Sequence, residues 1–134
     1  MTLRASGSFE VTLVPLASDA SEEGHEIGRQ TIDKRFSGDL EGTSRGEMMY
    51  AMSAAVPGSG AYVALEWVKG RLEGRSGSFA FYHVGTMTRG TPALTVTVVP
   101  DSGTGELVGI TGTFVIKITD GKHFYDFDFS LPDL

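Results

Sequence analysis

The sequence predicts an all-β protein, an eight-stranded antiparallel β-barrel, and three observations predict it. Apolar and polar side chains alternate with a two-residue period in segment after segment, and no stretch carries a sustained helical stripe. The 18 glycines among 134 residues are roughly twice the usual ~7% share and are scattered, as many tight turns require. The five prolines, Pro15, Pro57, Pro92, Pro100 and Pro132, lie at or beyond segment ends, where the missing amide donor costs a ladder nothing.

The alternating segments cover residues 7–14, 28–37, 41–53, 61–72, 77–88, 93–99, 112–119 and 122–130. So many antiparallel strands leave two exposed edges unless the sheet closes on itself, which is the reason for preferring a barrel. The polar stretch 18–28 between the first two segments reads either as a solvated connection or as a lid. A chain of this length is expected to form one domain with its own core.

Turn chemistry registers the hairpins. Glu73-Gly74-Arg75-Ser76 suits a two-residue turn with glycine first, which sets Glu66 opposite His83, Val68 opposite Phe81, Gly70 opposite Phe79 and Ala64 opposite Gly85. The other face carries Trp67, Lys69 and Arg71 with Ser78, Ala80 and Tyr82, so it is the outside. Asp120-Gly121 is a type I′ signal that opposes Ile118 to His123, Ile116 to Tyr125 and Phe114 to Phe127. A three-residue connection after Ser37 would set Ile32, Lys34 and Phe36 beside Gly46, Ser44 and Gly42, with Met48 and Tyr50 extending that inner face. Lys34 then either points toward Glu66, since a buried ammonium needs a carboxylate, or snorkels to the barrel mouth.

Composition excludes several functions. With 11 basic and 17 acidic residues the net charge is −6, so no global positive field draws nucleic acid or an anionic membrane. The absence of cysteine removes disulfides, thiolate metal sites and cysteine nucleophiles. No apolar run reads as a signal peptide or a membrane span, which makes a cytoplasmic location the expectation. No cofactor motif is present: Gly103-Thr104-Gly105 lacks the rest of a phosphate or dinucleotide fingerprint, and Glu22-Glu23-Gly24-His25-Glu26 matches no metal-ligand spacing. No serine sits in a nucleophile elbow.

Specific strings carry a family resemblance: KRFSGDLEG over 34–42, YVALE over 62–66, GRSGSF over 74–79, His83, and VVPDSGTGEL over 98–107. Together they resemble the bacterial domain-of-unknown-function 3224 family across nearly the whole chain. The resemblance implies the allene-oxide-cyclase-like barrel, shared in outline with dirigent proteins, and GTGELVGITG over 103–112 resembles the glycine-punctuated element before a late strand of that superfamily. Such cyclases and dirigent proteins bind apolar reactive substrates in a barrel and steer ring closure or coupling. The family itself has no settled activity, and a shared fold is a weak warrant for chemistry.

The candidate site is the inward Glu66–His83 pair, because a carboxylate beside an imidazole fixes its tautomer and supports proton transfer near neutral pH. Tyr125, Tyr62 or Tyr50 would add a hydroxyl donor. The same pair also reads as a structural polar bridge, or as a ligand-orienting group without catalysis. An apolar small molecule would be lined by Lys34, Phe36, Met48, Tyr50, Tyr62, Phe81, Phe114 and Phe127. Three classes remain open: a small-molecule-binding barrel, an isomerase or cyclase, and a filled scaffold. Outward Trp67 and Tyr82 are expected to form a homo-oligomer interface.

Overall fold

A computed structural model describes residues 1–16 and 27–134; the polar stretch considered as a lid, and His25 with its acidic neighbours, lie for the most part outside the described residues. Eight strands follow one another as β1 (Leu3–Pro15), β2 (Gly28–Gly38), β3 (Leu40–Met52), β4 (Gly60–Leu72), β5 (Arg75–Thr88), β6 (Thr91–Val98), β7 (Thr111–Thr119) and β8 (Lys122–Ser130). Each pairs antiparallel with its neighbour, and β8 returns to β1, so the sheet is a closed eight-stranded barrel. All eight predicted segments are strands. Pro92 is the exception to the proline rule, being the second residue of β6, opposite Met87 near the mouth. No helix among the described residues is long and apolar enough to cross a membrane.

Two hairpin registers match the turn chemistry. Asp120 and Gly121 both take positive φ, and Ile118, Ile116 and Phe114 face His123, Tyr125 and Phe127. Phe36, Lys34 and Ile32 face Gly42, Ser44 and Gly46. The β4–β5 hairpin corrects the expectation. Its turn is Glu73-Gly74, with φ of 45° and 84°, rather than a turn centred on Gly74-Arg75. A left-handed pair at those positions matches the strand twist, and Gly74 takes the second at no steric cost. The register therefore slips by two residues: Glu66 faces Phe81, Ala64 faces His83 and Val68 faces Phe79. Because the slip is even, every side chain keeps its predicted face.

The end of the barrel nearest the β2–β3 and β4–β5 turns is packed solid. Phe36, Phe79, Phe81, Phe114, Tyr125, Phe127 and Phe129 interlock there, with ring centroids such as Phe81–Phe114 at 4.9 Å and Phe79–Phe81 at 5.0 Å. Leu40, Leu72, Leu107 and Ile110 close it below. Each such aromatic contributes about 1.5–3 kcal/mol by leaving water.

The wall is thinnest between β6 and β7, whose register consists of Thr97 against Thr113. After β6 the chain follows β5 instead, with Val99 N bonded to Ala80 O, Thr104 N to Ser78 O, and Ser102 Oγ accepting from Ala80 N. A single 3₁₀ turn, Gly105–Leu107, then plugs Leu107 into the core. That strap buries the outward side chain of Ala80.

Candidate functional site

Above the aromatic core lies a buried polar layer. Glu66 is 1% exposed, His83 3% and Lys34 8%, so all three are withdrawn from bulk water. His83 Nε2 lies 2.6 Å from Glu66 Oε1, Lys34 Nζ donates to the same oxygen at 2.8 Å, and Ser44 Oγ donates to Oε2 at 2.5 Å. Lys34 thus pairs with Glu66 and does not snorkel to the mouth; its ammonium also lies 5.0 Å from the ring centroid of Phe9.

Local sequence explains why these groups meet. Lys34 is two strands from Glu66, and the intervening β3 positions are Ser44 and Gly46, small enough to be reached across. His83 faces Ala64, whose methyl leaves room for the imidazole to lie between the side chains two residues either way along β4. Those flanking residues are Tyr62 and Glu66. Accordingly, Tyr62 Oη lies 3.3 Å from His83 Nδ1 while Glu66 holds Nε2.

Electrostatics follow from this arrangement. Burial alone pushes the Glu66 carboxyl up. The hydrogen bond from His83, the charge of Lys34, the positive charge that His83 adds when its ring is protonated and the hydrogen bond from Lys34 outweigh it and hold the group at about 2. Glu66 is therefore an ionised acceptor. Burial first, and the Glu66 charge second, push the Tyr62 hydroxyl up, so it keeps its proton. Among the described residues, no buried side-chain nitrogen or oxygen lacks a partner.

Tyr62 connects this layer to a recess of about 510 Å³ at the barrel mouth. Met48, Tyr50, Met52, Met87 and Leu94 line it with Tyr62. Gly85 makes the position of Tyr62 possible, since a Cβ there would fall 2.3 Å from Tyr62 Cε1. No charged side chain lines the recess among the described residues, and neither Glu66 nor His83 does.

The other singled-out residues are distributed as follows. Met48, Tyr50 and Tyr62 line the recess, whereas Phe36, Phe81, Phe114 and Phe127 belong to the packed core. Tyr125 is not brought to the Glu66–His83 pair. Its hydroxyl accepts from Leu40 N at 2.9 Å and lies 3.0 Å from Ser37 O, bracing the β2–β3 turn at the opposite end. Trp67 and Tyr82 are outward and 57% and 38% exposed, but Trp67 faces Ala80 and Tyr82 faces Leu65. His123 lies at the start of β8, its ring 5.1 Å from that of Phe9. No cluster of three or more His, Asp or Glu side chains is gathered as for a metal among the described residues.

Sequence reasoning missed the Tyr62–His83 and Ser44–Glu66 contacts and the Met52, Met87 and Leu94 part of the lining. The signal for the first was present: Tyr62, Ala64 and Glu66 share one face of β4, and the type I′ reading of Glu73-Gly74 sets His83 between the outer two.

Fold and site together define a closed antiparallel barrel with a packed aromatic end, a buried charged layer and an apolar mouth. The chain belongs to the DUF3224 family, a family described as protein of unknown function, whose profile matches residues 5–129. A crystal structure of a DUF3224 protein with unknown function from Shewanella oneidensis MR-1 is 46% identical, covers 98% of each chain and superposes with a TM-score of 0.91. No curated protein matches the chain.

Proposed function

We propose that the protein is a small-molecule-binding barrel that takes an uncharged, largely apolar ligand into the mouth recess, with Tyr62 as the polar contact backed by His83, Glu66 and Lys34. The observation that carries this reading is the hydrogen-bonded chain running from a recess residue, Tyr62, into a buried ionic layer. Its volume suits a small ligand, since such pockets span roughly 300–1,000 Å³. Three flexible methionines suit an apolar guest of irregular shape. A charged ligand would meet no counter-charge among the described lining residues. Binding is preferred to direct proton transfer by Glu66 or His83, as in an isomerase or cyclase, because neither side chain lines the recess.

Native mass spectrometry of the purified protein, alone and after incubation with naphthalene derivatives, tests the reading. One small molecule per chain is expected, lost in Leu94→Asp, which places a charge in the lining. A wild-type protein that retains and takes up nothing would leave a filled scaffold as the better description.

A second reading concerns the outer face of β3, β4 and β5, which we propose is covered by a second copy of the chain. Met49, Val63, Leu65, Trp67, Tyr82 and Val84 are each between 38% and 63% exposed there, a clustering that scattered surface hydrophobics do not show. Beside them stand Arg29 with Glu47 and Arg45 with Asp33, two bases and two acids. On a chain of net charge −6, this face carries no excess of acidic side chains, since Lys69 and Arg71 also lie on it, so two copies approach there with less repulsion than the net charge imposes elsewhere. Sedimentation equilibrium should show a dimer that Leu65→Arg converts to monomer; a monomeric wild type would refute it.

A further inference from the structure

The direction of the hydrogen bonds in the Tyr62–His83–Glu66 chain says what kind of polar group the recess accepts. Glu66 is ionised, so its oxygen can only accept, and the proton on the 2.6 Å contact belongs to Nε2 of His83. Lys34 already neutralises Glu66, and the buried layer is in charge balance with an uncharged imidazole. An uncharged ring with its proton on Nε2 has a bare Nδ1, which can only accept. The Tyr62 hydroxyl, 3.3 Å away, is then the donor to it. A phenol has one proton to give, and here it is directed inward. What Tyr62 presents to the recess is oxygen lone pairs.

We propose that the recess selects ligands bearing a hydroxyl or N–H donor, such as a phenol, an alcohol or a secondary amide, over ligands of the same shape offering only a carbonyl or ether oxygen. This rests on the small-molecule-binding reading and reverses the simplest expectation for a tyrosine in a pocket, that it donates to a carbonyl. An acceptor-only ligand would face lone pairs with lone pairs or take the Tyr62 proton from His83, leaving Nδ1 buried and unpaired. Tyr62 contacts the ligand, and His83 and Glu66 act through it as positioning residues.

The experiment has two independent arms. In the first, 2-naphthol, 2-methoxynaphthalene and 2-acetylnaphthalene, which share one apolar body, are titrated calorimetrically into wild-type protein and Tyr62→Phe. The naphthol is expected to bind about three- to tenfold more tightly than either acceptor-only analogue, the usual worth of one net hydrogen bond, and Tyr62→Phe is expected to erase the preference while retaining binding of all three. Equal binding of the three, or preference for the ketone, overturns the donor selectivity while leaving the recess as a binding site. No binding by any of them overturns both. In the second arm, long-range ¹H–¹⁵N correlation on histidine-labelled wild-type protein reads the His83 tautomer directly, without ligand or mutation. The neutral Nε2–H form is expected; a proton on Nδ1 at neutral pH would overturn the inference.

Discussion

His83 Nε2 and Glu66 Oε1 are 2.6 Å apart although the two residues are not cross-strand partners; they meet on a diagonal, with His83 facing Ala64 and Glu66 facing Phe81. The diagonal sets the imidazole between Glu66 and Tyr62, which a directly opposed pair would not do. It also makes Glu66 the hub of the layer, accepting from Lys34 and Ser44 as well.

Removing that hub should be costly. Glu66→Ala leaves the Lys34 ammonium buried without its counter-charge, and breaking one partner of a buried pair destabilises by about 3–5 kcal/mol. In urea unfolding, the double variant Glu66→Leu with Lys34→Met should be more stable than Glu66→Ala alone. A double variant as unstable as the single would show that the pair is not the source of the loss.

Acid should unfold the protein in part through the same carboxylate. Its folded value of about 2 lies below the ordinary 4.5, so between these values the unfolded chain binds the proton and the folded chain does not. The stabilisation is present above about pH 5 and lost as pH falls toward 2, on the order of 3 kcal/mol in all. Asp126, hydrogen-bonded by Lys117, and Asp128, hydrogen-bonded by Arg4, are depressed too and add a shallow slope of the same sign. Stability measured from pH 6 to pH 2 should therefore fall less steeply in Glu66→Gln than in wild type. Parallel curves would count against Glu66 as the titrating group.

Tyr125→Phe should cost stability without altering the recess. The ring remains packed at 5.1 Å on Phe114, but Leu40 N loses its acceptor in a buried place, worth about 1–3 kcal/mol. Thermal unfolding and naphthol binding measured on one sample separate the two effects. A large loss of affinity would instead tie this hydroxyl to the site.

Gly85→Ala reports on the recess from the opposite side. Its new methyl would displace the Tyr62 ring, breaking the contact to His83 and narrowing the mouth. Naphthol affinity should fall at least tenfold, with a stability cost of about 1–3 kcal/mol for the overpacking. Unchanged affinity would show that Tyr62 does not form the binding surface.

Much of the fold was legible in the chain. Alternation identifies a face because side chains on a strand point to opposite sides by geometry alone, which is why Lys34, Glu66 and His83 read as inward and Trp67 and Tyr82 as outward. Asp120-Gly121 was equally readable, since few dipeptides take two positive φ values cheaply. Glu73-Gly74 obeyed the same rule, but Gly74-Arg75 offered a competing turn two residues out of register. An even slip leaves every face intact, so burial pattern could not tell the two apart.

Local pattern thus settled the eight strands, their inner and outer faces, and which polar residues had to share the interior. Closure of the wall settled the rest: that Lys34 reaches Glu66 over Ser44 and Gly46, that Tyr125 braces a turn far from the pair, that the phenylalanines fill one end and leave the other to Met48, Met87 and Leu94. These are contacts across two strands or across the barrel. Period and turn type act within a hairpin and carry no information about depth along the barrel axis, so only the assembled wall could place them.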